Sequence, residues 1–315
     1  MVIQLTTNKH QEERKMSLGE EQGGSHPQYL EPSELGTKEY WERYYDSSLT
    51  HFLSSKRDGR RRRDEQQQTD GEDDGQGEDD DSDIGTSWFS EHNAPQKVLD
   101  FMTSEKFPLA PDYSQAGREP SILDLGTGNG SMLSLLREEG GFSGPMVGVD
   151  YSVRSIELAR QLAGQGDDGQ GQGGGDEGIR FEVWDILDPR HEEDIRSGVF
   201  GKEVDWFPFE QGGFDIVLDK GTFDAVSLSA EGGSKRLCEK YPGVALGLVR
   251  KGGFLIITSC NWTESELVSW FTAGDHGDDG DGDCFTVYDR VEYPKFRFGG
   301  QEGQGVCTIC FQRNR

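Results

Sequence analysis

The chain has 315 residues, a formal net charge of −27 and 32% apolar residues. That length allows one large domain or two small ones. The charge excludes nucleic acid as an obvious partner, because nothing offers a broad basic surface. No run of 18 or more apolar residues occurs, so no membrane partner is expected.

In chain order, the opening MVIQLTTNKHQEERK has no apolar signal core, and residues 1–30 read as a disordered tail. Residues 31–315 read as a single domain interrupted by three low-complexity inserts, near 54–83, 164–178 and 273–283. Such Asp-, Gly- and Gln-rich stretches bury too little surface to offset chain entropy. Removing them leaves about 230 residues, the size of one α/β domain. Lys56–Arg63 (KRDGRRRR) is the one basic run, either a solvated counterweight to the acids after it or a nuclear address. The five cysteines show no framework spacing, which points to a reducing compartment and a cytoplasmic location. Cys307 and Cys310 form CxxC, but the alternation around them reads as a strand, and no metal is expected.

Lys38–Tyr45 and Ala94–Met102 have helical spacing. Short apolar strands follow at Ser121–Leu125, Met146–Asp150, Ile179–Trp184, Phe214–Asp219 and Gly253–Ser259. Helical segments at Ser131–Glu138, Val153–Leu162 and Ser234–Val249 lie between them. This alternation predicts an α/β fold with a mostly parallel sheet covered on both faces. After a helix over Glu264–Phe271, strands at Phe285–Tyr293 and Val306–Gln312 are joined by a short polar loop, so the last strand is expected to be antiparallel.

The first strand reaches Asp124 and runs into Gly126, Gly128 and Gly130, then into an apolar helix. In a doubly wound sheet this turn sits where ligands bind. Glycines there open left-handed torsions and let a ligand approach the backbone. Asp150, ending the second strand, is placed either to accept ribose hydroxyls or to cap the next helix, for which Ser152 is the better-placed residue. A dinucleotide loop wants GxGxxG; here the third glycine comes one residue early and an acid precedes the loop. That arrangement suits S-adenosylmethionine, which has no phosphate and whose ammonium Asp124 can serve. Asp185, after the third strand, either accepts from the adenine amino group with Ile186 packed on the ring, or is a surface turn acid. Asn129 and Tyr151 complete the expected cofactor contacts.

Four further motifs stand in order: ELGTKEYW at residues 34–41, WF at Trp88-Phe89, DKGTFDA at residues 219–225 and SCNWT at residues 259–263. With them the chain resembles the seven-β-strand protein-lysine methyltransferases that modify translation elongation factor 1-alpha, over Pro32 to Gln312 outside the inserts. The resemblance implies a Rossmann-like seven-stranded class I methyltransferase sheet. It also implies methyl transfer from S-adenosylmethionine to a lysine ε-amine, with elongation factor 1-alpha as partner. A monomer is expected, although the sequence does not read out oligomeric state. On this footing Asp219 is the expected catalytic residue, orienting the lysine amine or accepting its proton; the alternative is that it caps the following turn. Lys220 pairs with a nearby acid or the cofactor carboxylate, with no catalytic role. Trp41, Tyr40, Trp88 and Phe89 form either a lid over the cofactor or a hydrophobic plug. Asn261, Trp262 and Phe223 are the expected substrate contacts. Competing readings are a methyltransferase with a small-molecule acceptor and a noncatalytic acidic binding protein.

Overall fold

A computed structural model describes residues 27–66, 89, 92–113, 117–164, 178–188, 204–231, 236–272, 282–294, 296–298, 301–303 and 305–314. Most of the inserts, the first 26 residues and Trp88 lie outside the described residues.

The strands are β1 (Ile122–Leu125), β2 (Met146–Asp150), β3 (Ile179–Val183), β4 (Phe214–Lys220), β5 (Val249–Ser259), β6 (Phe285–Val291), β7 (Phe296–Phe298), β8 (Gln301–Gly303) and β9 (Cys307–Arg313). Seven of them form one sheet in the order β3-β2-β1-β4-β5-β9-β6. Pairing is parallel from β3 through β5, while β9 runs antiparallel to both β5 and β6. The expected antiparallel last strand is therefore present, inserted between its two neighbours. The loop before it, read as short and polar, holds the small β7–β8 pair.

Seven α-helices, with short 3-10 turns at Glu34–Gly36 and Phe209–Gln211, complete the described fold: α1 (Lys38–Gln66), α2 (Ala94–Met102), α3 (Ser131–Glu138), α4 (Val153–Leu162), α5 (Thr222–Ser227), α6 (Leu237–Leu248) and α7 (Glu264–Thr272). Strand alternation divides their packing. Ile122, Ile216, Leu218 and Ile256 face α2, α3 and α4 through Met102, Leu133, Leu136 and Ile156. Leu123, Leu125, Val217 and Ile257 face α5, α6 and α7 through Phe223, Tyr241, Leu248 and Trp270. Cys307 belongs to the second core and Cys310 to the first, so the CxxC pair points to opposite faces of the sheet.

Two boundaries differ from expectation. The insert near 54–83 begins as helix, because α1 continues to Gln66. Tyr45, Leu49 and Phe52 recur at helical spacing and pack with Leu158 of α4, which holds the first part of the extension. The tail, read as disordered to residue 30, is packed at its end: Leu30 joins the core and the Tyr29 hydroxyl donates to Glu239 at 2.9 Å.

At the N-terminal end of β4, away from the glycine loop, Asp215 is buried. It accepts two hydrogen bonds from Arg118 at 2.7 Å, others from the Ser121 amide and hydroxyl, and one from Arg250. Burial works to raise its pKa, but the donors outweigh burial and leave it lowered. Its contribution is present above the unfolded carboxylate pKa and lost as pH falls through the folded one. Asp215→Ala is expected to reduce unfolding free energy by about 2–3 kcal/mol in urea titrations at neutral pH, with cofactor affinity unchanged.

Candidate active site

The chain reverses between β1 and β4, which opens a crevice at the C-terminal ends of the strands. Gly126, Gly128 and Gly130 line it with φ values of +60°, +59° and +77°, a region costly for residues with a Cβ. A Cβ on Gly126 would lie 2.2 Å from Thr222 Oγ1, one on Gly128 2.6 Å from the Tyr45 hydroxyl, and one on Gly130 2.7 Å from the Phe181 ring. Thr222 Oγ1 also donates to the Leu125 carbonyl at 2.6 Å, tying the start of α5 to the loop.

The two acids read from the sequence flank this loop. Asp124 is buried, and its Oδ2 accepts from Thr127 Oγ1 at 2.7 Å. Asp150 is buried and accepts from the Gly128 amide at 3.1 Å, the Ser152 amide at 2.9 Å and Ser155 Oγ at 2.8 Å. Asp150 thus braces the glycine loop against the start of α4, while Ser152 is the cap, accepting from the Ser155 amide. Burial pushes both carboxyls up to about 6 against these donors. Asn129 Oδ1 accepts from the Ser131 amide at 3.2 Å at the start of α3. Asp185 shapes the turn after β3 by accepting from the Leu187 amide at 3.0 Å, and Ile186 packs against the core.

Helix α1 covers this edge. Trp41 donates to the Leu35 carbonyl at 2.8 Å and stacks on Tyr45, whose hydroxyl sits over Gly128. Glu42 accepts from the Val153 amide at 3.0 Å, Arg154 pairs with Asp46 at 3.1 Å, and the Lys38 ammonium lies 5.4 Å from the Tyr151 ring centre. Tyr45 and Glu42 were missed in the sequence; the signal was the spacing Trp41, Tyr45, Leu49, which extends the aromatic motif by two turns. The ELGTKEYW segment is locked to the segment after α5: a Cβ on Gly36 would lie 2.3 Å from the Leu228 backbone, and the Ser33 amide donates to the Leu228 carbonyl at 3.0 Å.

At the end of β4 the carboxylate of Asp219 is 1% exposed and already engaged. The amides of Thr222 and Phe223 donate to it at 2.8 Å and 3.1 Å, and the Tyr241 hydroxyl at 2.7 Å. Asp219 holds the turn into α5, whose N-cap residue is Gly221, by accepting the first amides of that helix, as the turn-capping alternative read from the sequence expects. Two substrate assignments are corrected. Phe223 is 0% exposed and Trp262 is 3% exposed; they stack on each other at 5.9 Å within the core. Neither presents a face to a peptide. Asn261, beside Trp262, is half-buried. The turn that carries it is organised by a residue the sequence reading passed over. Asp224 of α5 accepts from Ser259 Oγ at 2.5 Å and from the Cys260 amide at 2.9 Å, and Ser259 Oγ then accepts from the Asn261 and Trp262 amides.

The family described as methyltransferase domain matches residues 118–277, which carry the glycine loop, β4 and the SCNWT turn. The chain belongs to that family. It is 34% identical to the protein-lysine N-methyltransferase EFM4 of Saccharomyces cerevisiae, over 90% of this chain and 96% of that one. It is 31% identical to the protein-lysine N-methyltransferase efm4 of Schizosaccharomyces pombe, over 90% and 95%. It is also 28% identical to the EEF1A lysine methyltransferase 2 of Homo sapiens, over 90% and 88%. As a methyltransferase site the crevice is coherent. Gly126 is exposed at the start of the loop, two acids flank the loop, and α1 lies above.

Proposed function

We propose that this chain is an S-adenosylmethionine-dependent protein-lysine N-methyltransferase acting on translation elongation factor 1-alpha. The observation that carries the reading is that the ELGTKEYW, DKGTFDA and SCNWT segments are tied to one another and to the end of β1, in a chain whose relatives carry lysine methyltransferase names. The crevice fits the cofactor. Its three glycines hold positive φ where a Cβ would strike Thr222, Tyr45 or Phe181, and its acids suit a ligand that is cationic and carries a ribose.

When bound, S-adenosylmethionine supplies an electrophilic methyl on a sulfonium. The glycine loop binds by close backbone approach. Asp124 contributes negative charge beside the loop, and Asp150 retains one lone-pair site for a ribose hydroxyl beyond the donors it already accepts. Trp41 and Tyr45 exclude water above the loop. The acceptor lysine has to be neutral to attack, although a free lysine titrates at about 10.4. Desolvation and nearby positive charge lower that value without a dedicated base. Asp219, held by its donors, acts here as a positioning residue. It fixes the turn bearing Lys220 and Thr222, and through α5 it sets Asp224 and the Asn261 turn.

Incubating the purified chain with methyl-labelled S-adenosylmethionine and purified elongation factor 1-alpha is expected to place label on a lysine of the factor. Label confined to small molecules, or none, would contradict the reading. A pH profile adds a second check. A cationic ligand favours ionised Asp124, so cofactor affinity is expected to climb as pH rises through about 6 and then level off. Asp124→Asn should flatten that profile, weakening binding about tenfold in calorimetry at pH 8 while leaving affinity at pH 5 close to that of the wild type.

A further inference from the structure

Lys220 ends β4 and is half-buried. Among the described residues its ammonium makes no hydrogen bond or ion pair; it lies 5.8 Å from the centre of the Phe89 ring. Phe89 holds that place at a price in backbone strain, with φ at +70°, a region bulky residues avoid. Its ring also presses on Gly221, where a Cβ would lie 3.0 Å away. An enforced aromatic floor under an unpaired lysine is the kind of local conflict that marks a binding position.

Asp124 stands on the same side. It pairs in register with Leu218, and Lys220 lies two residues further along β4, so the two side chains leave the same face of the sheet. Burial lowers the Lys220 pKa while Asp124 and Asp219 act to raise it, and Lys220 in turn favours the ionised form of Asp124. The opposite charges feel each other yet form no ion pair among the described residues, where Asp124 accepts from Thr127. One negative and one positive group therefore stand apart beside the glycine loop, the complement of an α-amino-acid zwitterion.

We propose that Lys220 anchors the carboxylate of the amino-acid end of the cofactor, opposite Asp124, so that the site selects an adenosyl ligand with an intact α-carboxylate. This rests on the cofactor reading above.

Calorimetric titration of wild type, Lys220→Met and Lys220→Arg with S-adenosylmethionine and with its decarboxylated form separates the possibilities. Wild type is expected to bind the intact cofactor about 10- to 100-fold tighter than the decarboxylated one, the range for a charge-assisted hydrogen bond. Lys220→Met should lose that preference by weakening on the intact ligand alone, and Lys220→Arg should retain most of it. A Lys220→Met protein that keeps the wild-type preference overturns the proposal. If that variant shows no cooperative melting transition, the wild-type ratio decides: equal affinities for the two ligands overturn it. Wild type that binds neither ligand fails the cofactor reading itself, and this inference with it.

Discussion

Gly126→Ala is expected to eliminate measurable cofactor binding and to lower unfolding free energy by about 2–4 kcal/mol. The residue sits at φ +60°, where an alanine is strained, and its new methyl would fall 2.2 Å from Thr222 Oγ1. Thr222 cannot simply rotate away, because that oxygen donates to the Leu125 carbonyl at 2.6 Å. Either the loop moves or α5 does, and both shift the crevice. Gly212→Ala is the control. Its φ is +69°, yet nothing lies within 4 Å of the added carbon. That variant should lose only the backbone component, about 1–2 kcal/mol, and bind cofactor as wild type does. Urea titrations and calorimetry on the pair separate strain from blockage. Equal binding by both variants would mean the loop does not form the ligand cradle.

Asp219→Ala is expected to destabilise the protein by about 3–5 kcal/mol and to remove transfer activity through the same event. Truncation strips an acceptor from two amides at the start of α5 and from the Tyr241 hydroxyl, whose side chain is fully buried. Released, α5 no longer fixes Thr222 against the loop or Asp224 against the Asn261 turn. A residue acting as proton acceptor predicts a different outcome, lost turnover with stability and cofactor affinity intact. Tyr241→Phe sharpens the contrast: it should cost about 1 kcal/mol and preserve turnover. Burial raises the Asp219 carboxyl from 3.8 to about 7. The folded chain therefore keeps a proton that the unfolded chain has released, and stability from this group falls as pH rises across that interval. Asp219→Asn should remove that part of the slope in thermal melts.

The alternating core was legible because its signals are local. β2, α2, α3 and α4 match the expected boundaries residue for residue, since apolar periodicity and glycine punctuation coincide there. The glycine loop was legible for the same reason: three glycines in five residues mark left-handed torsions and close packing around the backbone. What escaped was long-range. Nothing near Asp219 announces Tyr241, 22 residues away, so cap and catalyst could not be told apart from the chain alone. Phe223 and Trp262 sit in motifs that belong to the site, yet their bulk fills the core beneath it. The length of α1 escaped because its second half is polar, and the apolar residues that pack it on α4 end at Phe52. Lys220 was visible in the motif, but that its ammonium makes no hydrogen bond or ion pair among the described residues is a property of the folded molecule.

The account turns on the crevice between β1 and β4 accepting an adenosyl sulfonium. Calorimetric titration of the full chain with S-adenosylmethionine, and in parallel with a nicotinamide dinucleotide, tests this most directly. Saturable one-site binding of the former and none of the latter is predicted. Binding of the dinucleotide in its place, or of neither, would contradict the account.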